Sequence, residues 1–307
     1  MSKDFFYSLN EYYRKKYGQK AYKISLNSGM GCPNRDGTVG VGGCIFCSSE
    51  GSGDFAGDCK LDITEQITKA IAFISNKYKG NIYIGYFQAF TNTYAPVEYL
   101  EELFMKAITD DRITELSIAT RPDCLPDEVI ALLIKLNRIK PVTIELGLQT
   151  SNEETARYIN RGYPLKVYDN ACQKLLYAGI PFVTHMIVGL PNETSADFLN
   201  TAHHIYKSGA TGIKIQLLHI LENTRLAKDY RDGLFEAMSL SDYAKAVVDI
   251  IEILPENMVI HRITGDGPKK LLIAPMWSTN KKNVLNTITK EFINRNTYQG
   301  KESQKWL

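Results

Sequence analysis

Between residues 21 and 240 six short apolar runs are separated by longer stretches whose apolar residues recur at helical spacing. The short runs, at 21–26, 82–87, 115–119, 142–147, 182–188 and 212–218, read as strands. The stretches between them, at 64–78, 96–108, 126–137, 168–178 and 195–208, read as helices. Pro96 suits a first helical turn, and Gly80, Gly179 and Gly209 suit helix ends. An imperfect capping box is read at Thr64, flanked by Asp62 and Glu65. A further helix over 4–17, with aromatics on one side and Gly18 as its stop, precedes the first strand.

Strands alternating with helices of this length imply parallel βαβ units. Six units are too few to close an eight-stranded barrel, and no GxGxxG follows the first strand. The predicted fold is therefore α/β, a partial (β/α)6 barrel of the TIM type. Beyond Leu240 the pattern changes to a helix over 241–254, an extended stretch over 258–264, a turn at Gly265–Pro268 and a basic helix near 283–294. The expected organisation is an N-terminal helix (1–20), a barrel core (21–240) and a C-terminal extension (241–307) packed on the barrel near its open edge.

In βα folds, chemistry collects at the carboxyl ends of the strands. Two inward candidates come from the strands themselves. Lys214 and Gln216 alternate with Ile213, Ile215 and Leu217, so they face the cavity if the apolar set faces the helices. An unpaired lysine there would be costly, which favours a ligand or ion-pair role; a water-exposed edge strand is the rival. His185 shares a strand face with Val183 and Ile187, and only a barrel-interior place would make it catalytic rather than a satisfied core group.

The residues that organise the chain lie in the glycine-rich loop after the first strand. Cys32, Cys44 and Cys47 are spaced C-x11-C-x2-C, with Phe46 just before the last. Glycine lets such a loop bend until three sulfurs converge. A [4Fe-4S] cluster on three cysteines leaves one iron open. Zinc would want four ligands, which Cys59 could formally complete, although only one close cysteine pair exists and no histidine falls nearby.

This loop, CPNRDGT…GGCIFC, resembles that of the radical S-adenosylmethionine (SAM) enzymes, in particular the branch containing the Elongator catalytic subunit and its bacterial relatives. The TRPD at Thr120–Asp123 matches the same branch. The resemblance implies a [4Fe-4S] cluster on Cys32, Cys44 and Cys47, with SAM on the fourth iron. Reductive cleavage would then yield a 5′-deoxyadenosyl radical that abstracts hydrogen from an unreactive C–H bond. A flavodoxin- or ferredoxin-type electron donor is implied as well.

Residue by residue, Phe46 is expected beside the adenine, and Gln88 and Asn92 fall where such enzymes hold the SAM amino group, although the usual Gly-Gly-Glu is absent. The Gln149…Arg161 spacing resembles that of oxygen-independent coproporphyrinogen oxidases, implying Gln149 on the ribose and Arg161 on the methionine carboxylate. A bidentate guanidinium suits a carboxylate. The Gly189-Leu190-Pro191 segment resembles one that approaches the adenine. Arg121 either orients substrate or pairs with Asp123.

Composition adds the setting. The start carries an acid and no apolar h-region, and no run approaches eighteen apolar residues, so neither a signal peptide nor a membrane partner is expected. Six cysteines, three of them clustered, fit a reducing cytoplasm. The net charge of +2 hides an asymmetry: residues 1–23 and 268–307 together carry +10, the middle −8. Solvated ends are one explanation. A polyanion-binding surface where the termini meet is the other. The Elongator branch modifies wobble uridines in transfer RNA, so tRNA is the implied partner. Lys281, Lys282 and Arg295 are then candidates for phosphate contacts, and Lys214 and Gln216 for a flipped base.

Overall fold

A computed structural model describes residues 5–51, 53, 57–76, 78–265 and 267–306. Asp4 of the first expected helix, Ser52 and residues 54–56 of the glycine-rich loop, Lys77 and Asp266 lie outside the described residues. The first half of the chain forms α1 (Leu9–Tyr17), β1 (Ala21–Leu26), α2 (Ile63–Ser75), β2 (Ile82–Phe87), α3 (Val97–Ile108), β3 (Ile113–Thr120), α4 (Asp127–Asn137) and β4 (Val142–Gln149). Then follow α5 (Glu153–Tyr158), α6 (Leu165–Tyr177), β5 (Phe182–Val188), α7 (Ser195–Lys207), β6 (Gly212–Leu217), β7 (Ile220–Leu221) and α8 (Arg225–Arg231). The last are α9 (Leu240–Ile253), β8 (Val259–Arg262), β9 (Leu272–Ala274) and α10 (Lys281–Arg295).

The main sheet runs β1-β2-β3-β4-β5-β6-β8 with every neighbouring pair parallel, a curled, open half-barrel with helices packed on its outside. Six strands come from the βα alternation. The seventh comes from the C-terminal segment, where β8 pairs with β6 from Gly212↔Val259 to Lys214↔Arg262. Segment 241–307 thus extends the sheet as well as packing on it, and β6 is not an edge strand. The reason is local: Val259 and Ile260 are buried and extended after Pro255, a short strand with a free neighbour beside it.

The helices bury one face each. In α3, Leu100, Phe104, Ala107 and Ile108 are fully buried, and Phe104 meets Phe87 of β2 edge-on at 5.0 Å. Leu100, Phe104 and Ile108 each contribute roughly 1.5–3 kcal/mol. The α2 cap is Asp62 rather than Thr64: its carboxylate accepts from Thr64 N at 2.9 Å, and Glu65 returns a bond to Asp62 N at 3.2 Å.

The two termini meet. Phe5 stacks on Phe292 at 5.1 Å, Ile260 N donates to Tyr7 O at 2.8 Å, and Tyr7 N donates to Gln299 Oε1 at 2.8 Å. The N-terminal aromatics therefore pack on α10 and β8. No helix among the described residues is long and apolar enough to cross a membrane.

Candidate active site

The loop leaving β1 turns on hydrogen bonds that bring its cysteines to one cavity. Arg35 N donates to Cys32 O at 2.8 Å, Gly43 N to Asn34 O at 2.7 Å and Cys47 N to Cys44 O at 3.0 Å. Gly43 has φ +82°, and a Cβ there would come within 2.9 Å of Arg35 Nε, so only glycine lets Arg35 cross the loop. Cys32, Cys44 and Cys47 all line a cavity of about 180 Å³ at the carboxyl ends of the strands. The Cys44 thiol is pulled down by a hydrogen bond from Cys47, with Arg121, Asn34 and Arg35 acting the same way against burial. Asn34 Nδ2 lies 3.7 Å from Cys44 Sγ. Cys59 is exposed and lines a different hollow, with Tyr99 and Glu102. The donor set at the cavity is thus three thiols among guanidinium and amide donors, without the fourth thiol a closed zinc site would need. It fits a [4Fe-4S] cluster with one iron open.

Deeper in the cavity sits one carboxylate among several cations. Glu145, fully buried at the middle of β4, forms ion pairs with Lys23 of β1 and Lys214 of β6. It also takes His185 Nε2 at 2.7 Å and Ser117 Oγ at 2.7 Å. The Lys214 ammonium reaches Tyr86 Oη at 3.2 Å and lies 4.5 Å above its ring. Burial alone would raise the Glu145 carboxyl, but Lys214 and Lys23 outweigh it and hold it well below the usual carboxylate range. Burial, helped by Lys214 and Lys23, brings His185 down to about 4 in spite of Glu145, so its imidazole is neutral at pH 7. Two lysines share the one carboxylate, and burial, helped by Lys23 and Arg262, brings Lys214 down to about 7 in spite of Glu145. A strongly hydrogen-bonding group is what such a floor can receive.

The expected site residues divide. His185, Lys214, Gln216, Phe46, Gln88, Gln149 and Arg161 all line the cavity with the three cysteines. Gln149 holds φ +71°, where β4 shifts register against β5, a strained backbone that turns its side chain at the site. Arg121 pairs with Asp123 through two bonds, 2.9 and 2.7 Å, and its third donor meets Arg161 O at 2.9 Å.

Five expectations need correction. Asn92 is fully buried with both ends used: Nδ2 donates to Phe87 O (3.1 Å) and Ala119 O (2.9 Å), and Oδ1 accepts from Ser28 Oγ (2.7 Å). It ties β2 to β3 and is not presented to SAM. Arg161 is 1% exposed and donates to the carbonyls of Tyr163 (3.0 Å), Leu148 (3.2 Å) and Thr150 (2.6 Å), with Glu153 at 3.4 Å. It borders the cavity, but its guanidinium donors are already engaged by backbone and Glu153 rather than left open. Gly189 lines neither that cavity nor its neighbour. Its φ of +91° explains the glycine, and a Cβ there would meet Met238 and Leu218 only at ordinary contact distance. Arg295 is neutralised by Asp249, Glu252 at 3.5 Å and Glu291 at 2.7 Å, which removes it as a phosphate contact. Finally, the Thr64 cap belongs to Asp62. Lys281 and Lys282 stand exposed in the first turn of α10, away from the cavity lining.

Arg161→Ala is expected to cost on the order of 2–3 kcal/mol of stability, because three buried carbonyls lose their donor. Denaturant unfolding measures the cost. Unchanged stability with weakened SAM binding would return the guanidinium to the carboxylate role.

Glu145, Lys23, Tyr86 and Arg262 were not singled out from the sequence. The signal was present: Lys23, Glu145 and Lys214 are each the single charged residue of their strand.

The comparisons agree with this geometry. A model described as the Radical SAM superfamily matches residues 26–205, and the Radical_SAM C-terminal domain matches 210–294. Protein YtqA of Bacillus subtilis (strain 168) is 47% identical over 300 residues, which is 98% of this chain and 93% of its own. Protein YhcC of Escherichia coli (strain K12) is 36% identical over 268 residues, 87% of this chain and 85% of its own. The archaeal Methanocaldococcus infernus Elp3, solved with an N-terminal deletion, superposes with a TM-score of 0.70 at 17% identity. That likeness, over 91% of this chain and 64% of the other, is one of fold. Family, half-barrel and cysteine-lined cavity converge: the chain belongs to the radical SAM superfamily, whose shared cofactors are SAM and a [4Fe-4S] cluster.

Proposed function

We propose that this chain is a cytoplasmic radical SAM enzyme that modifies the C5 side chain of the wobble uridine in tRNA. The observation that carries the radical chemistry is one cavity lined by Cys32, Cys44 and Cys47 together with Lys214, Gln216 and His185. Cys32, Cys44 and Cys47 would hold the cluster, and Phe46, Gln88 and Gln149 would flank SAM. When bound, the two would supply one-electron reductive cleavage of the sulfonium bond to methionine and a 5′-deoxyadenosyl radical, the electron coming from a flavodoxin- or ferredoxin-type donor. Around them, the strands and the Phe46 ring keep water from the reacting centre. Gln216 and Lys214, anchored by Glu145, bind and orient the base. Neutral His185 serves as a hydrogen-bond partner.

The tRNA assignment rests on the resemblance of the cysteine loop and TRPD segment to the Elongator branch, and on the basic ends. Lys281 and Lys282 contact phosphate from outside the cavity. The second reading, a metal-binding protein without catalysis, accounts for the cysteines but not for Lys23, Lys214 and His185 gathered on one buried carboxylate beside them.

Anaerobic protein with SAM and a low-potential reductant is expected to release 5′-deoxyadenosine. Its band shift with total tRNA is expected to weaken steeply with salt and further in Lys281→Glu/Lys282→Glu. Absence of 5′-deoxyadenosine would remove the enzyme reading. Salt-insensitive or absent tRNA binding, with an unchanged tRNA nucleoside profile in a deletion strain, would remove the RNA reading alone.

A further inference from the structure

A second, larger cavity of about 700 Å³ adjoins the first and shares six lining residues with it: Phe46, Cys47, Gln88, Ile187, Gln216 and Arg262. Its size lies in the range of ordinary ligand pockets. It spans the gap the half-barrel leaves open, since Ser25 of β1 and Arg262 of β8, the two edge strands, both line it. Its walls are of two kinds. Phe46, Ile187, Leu217, Leu218 and Leu221 make an apolar side. Lys269 and Lys270, both exposed, stand on another with Arg262, and no Asp or Glu is among the described lining residues.

The lysines are carried by a built turn. β7 pairs with β9, Glu222 N donates to Leu271 O at 2.7 Å, and Leu271 N donates to Pro268 O at 2.9 Å. Gly265 and Gly267 lie flat on the His219 ring, where a Cβ on Gly265 would come within 2.4 Å of it. Glycine at that position is required by the close approach, and the approach fixes where the lysines project.

We propose that this chamber docks one nucleotide unit of the substrate, its base against the Phe46–Leu218 side and its phosphate on Lys269 and Lys270. The inference rests on the nucleic-acid reading above and deepens it. An aromatic ring and aliphatic wall suit the flat face of any base, and two ammonium groups suit a phosphate without reading sequence. Gln216, shared by both cavities, then stands where the docked unit passes into the reactive one. This phosphate contact lies next to the chemistry, in addition to those proposed on α10.

Cluster-loaded protein saturated with SAM should bind uridine 5′-monophosphate about tenfold more tightly than uridine by calorimetry, on the scale of a charge-assisted phosphate contact. Lys269→Ala/Lys270→Ala should erase that difference while iron content and SAM affinity stay as in the wild type. The exposed positions make misfolding no obstacle. Equal binding of nucleotide and nucleoside by the wild type, or a preference that survives the double substitution, would overturn the chamber even if tRNA binds. A phosphate preference lost in the variant, with no tRNA binding at all, would sustain the chamber as a site for a free nucleotide and sink the RNA reading.

Discussion

Replacing Cys32, Cys44 or Cys47 by alanine is expected to strip the iron from anaerobically purified protein, whereas Cys59→Ala should keep it. The wild type should be brown and carry about four irons per chain, as the cluster formula requires. The reasoning is positional. Three thiols line one cavity, and the Cys44–Cys47 turn is closed by its own backbone bond. Cys59 is exposed beside a different hollow. Each of the three is a separate anchor, so any single loss leaves a cluster short of a ligand it cannot replace from nearby. Metal analysis with the visible absorption spectrum is the measurement. Stoichiometric zinc in place of iron, or iron lost in Cys59→Ala, would overturn the assignment.

The second large effect belongs to Glu145. Glu145→Gln is expected to destabilise the fold by roughly 3–5 kcal/mol, the scale for breaking a buried ion pair and leaving its partners uncompensated. Lys23 and Lys214 would then face each other with only an amide between them. Lys214→Met should cost less, because Lys23 still neutralises the carboxylate. Acid should act in the same direction. The Glu145 carboxyl is depressed in the folded state, so its contribution is present above the ordinary carboxylate range and is lost as pH falls through its folded value. His185, lowered from 6.5 to about 4, takes up its proton in the unfolded chain first, so stability also falls as pH drops from about 6.5 towards 4. Chemical denaturation at pH 7 and pH 5 tests the His185 part, and a further measurement near pH 3 tests the Glu145 part. A Glu145→Gln variant within about 0.5 kcal/mol of wild type would show that the carboxylate is not holding these cations.

These two predictions differ in where their warrant lies. The cysteines could be picked from the chain alone, because a C-x11-C-x2-C spacing in a glycine-rich loop is a local pattern. So could the βα alternation: β1, β2 and β5 fall on the residues read as strands, since period-two and period-3.6 patterns are written within a few turns of chain. The inward set of β6 was legible for the same reason. Where β6 stood in the sheet was not, and only its pairing with β8 removed the edge-strand alternative.

Partner identity is what the sequence left undecided. Lys23 and Glu145 are 122 positions apart, Lys214 and Glu145 are 69, and no local pattern joins them. Arg161 read as a ligand clamp because an arginine in a loop shows its donors but not its acceptors. The carbonyls of Leu148, Thr150 and Tyr163 are acceptors that exist at that spot only after β4 and its loop have folded. Arg295 read as a phosphate contact until α9 placed Asp249 and Glu252 beside it. The sequence by itself determined the elements, the cysteine loop and the sign of the charged ends, because each depends on neighbours along the chain. The tertiary structure alone decided which charges are already spent and which still face a cavity, because that depends on the register and curl of a seven-stranded sheet.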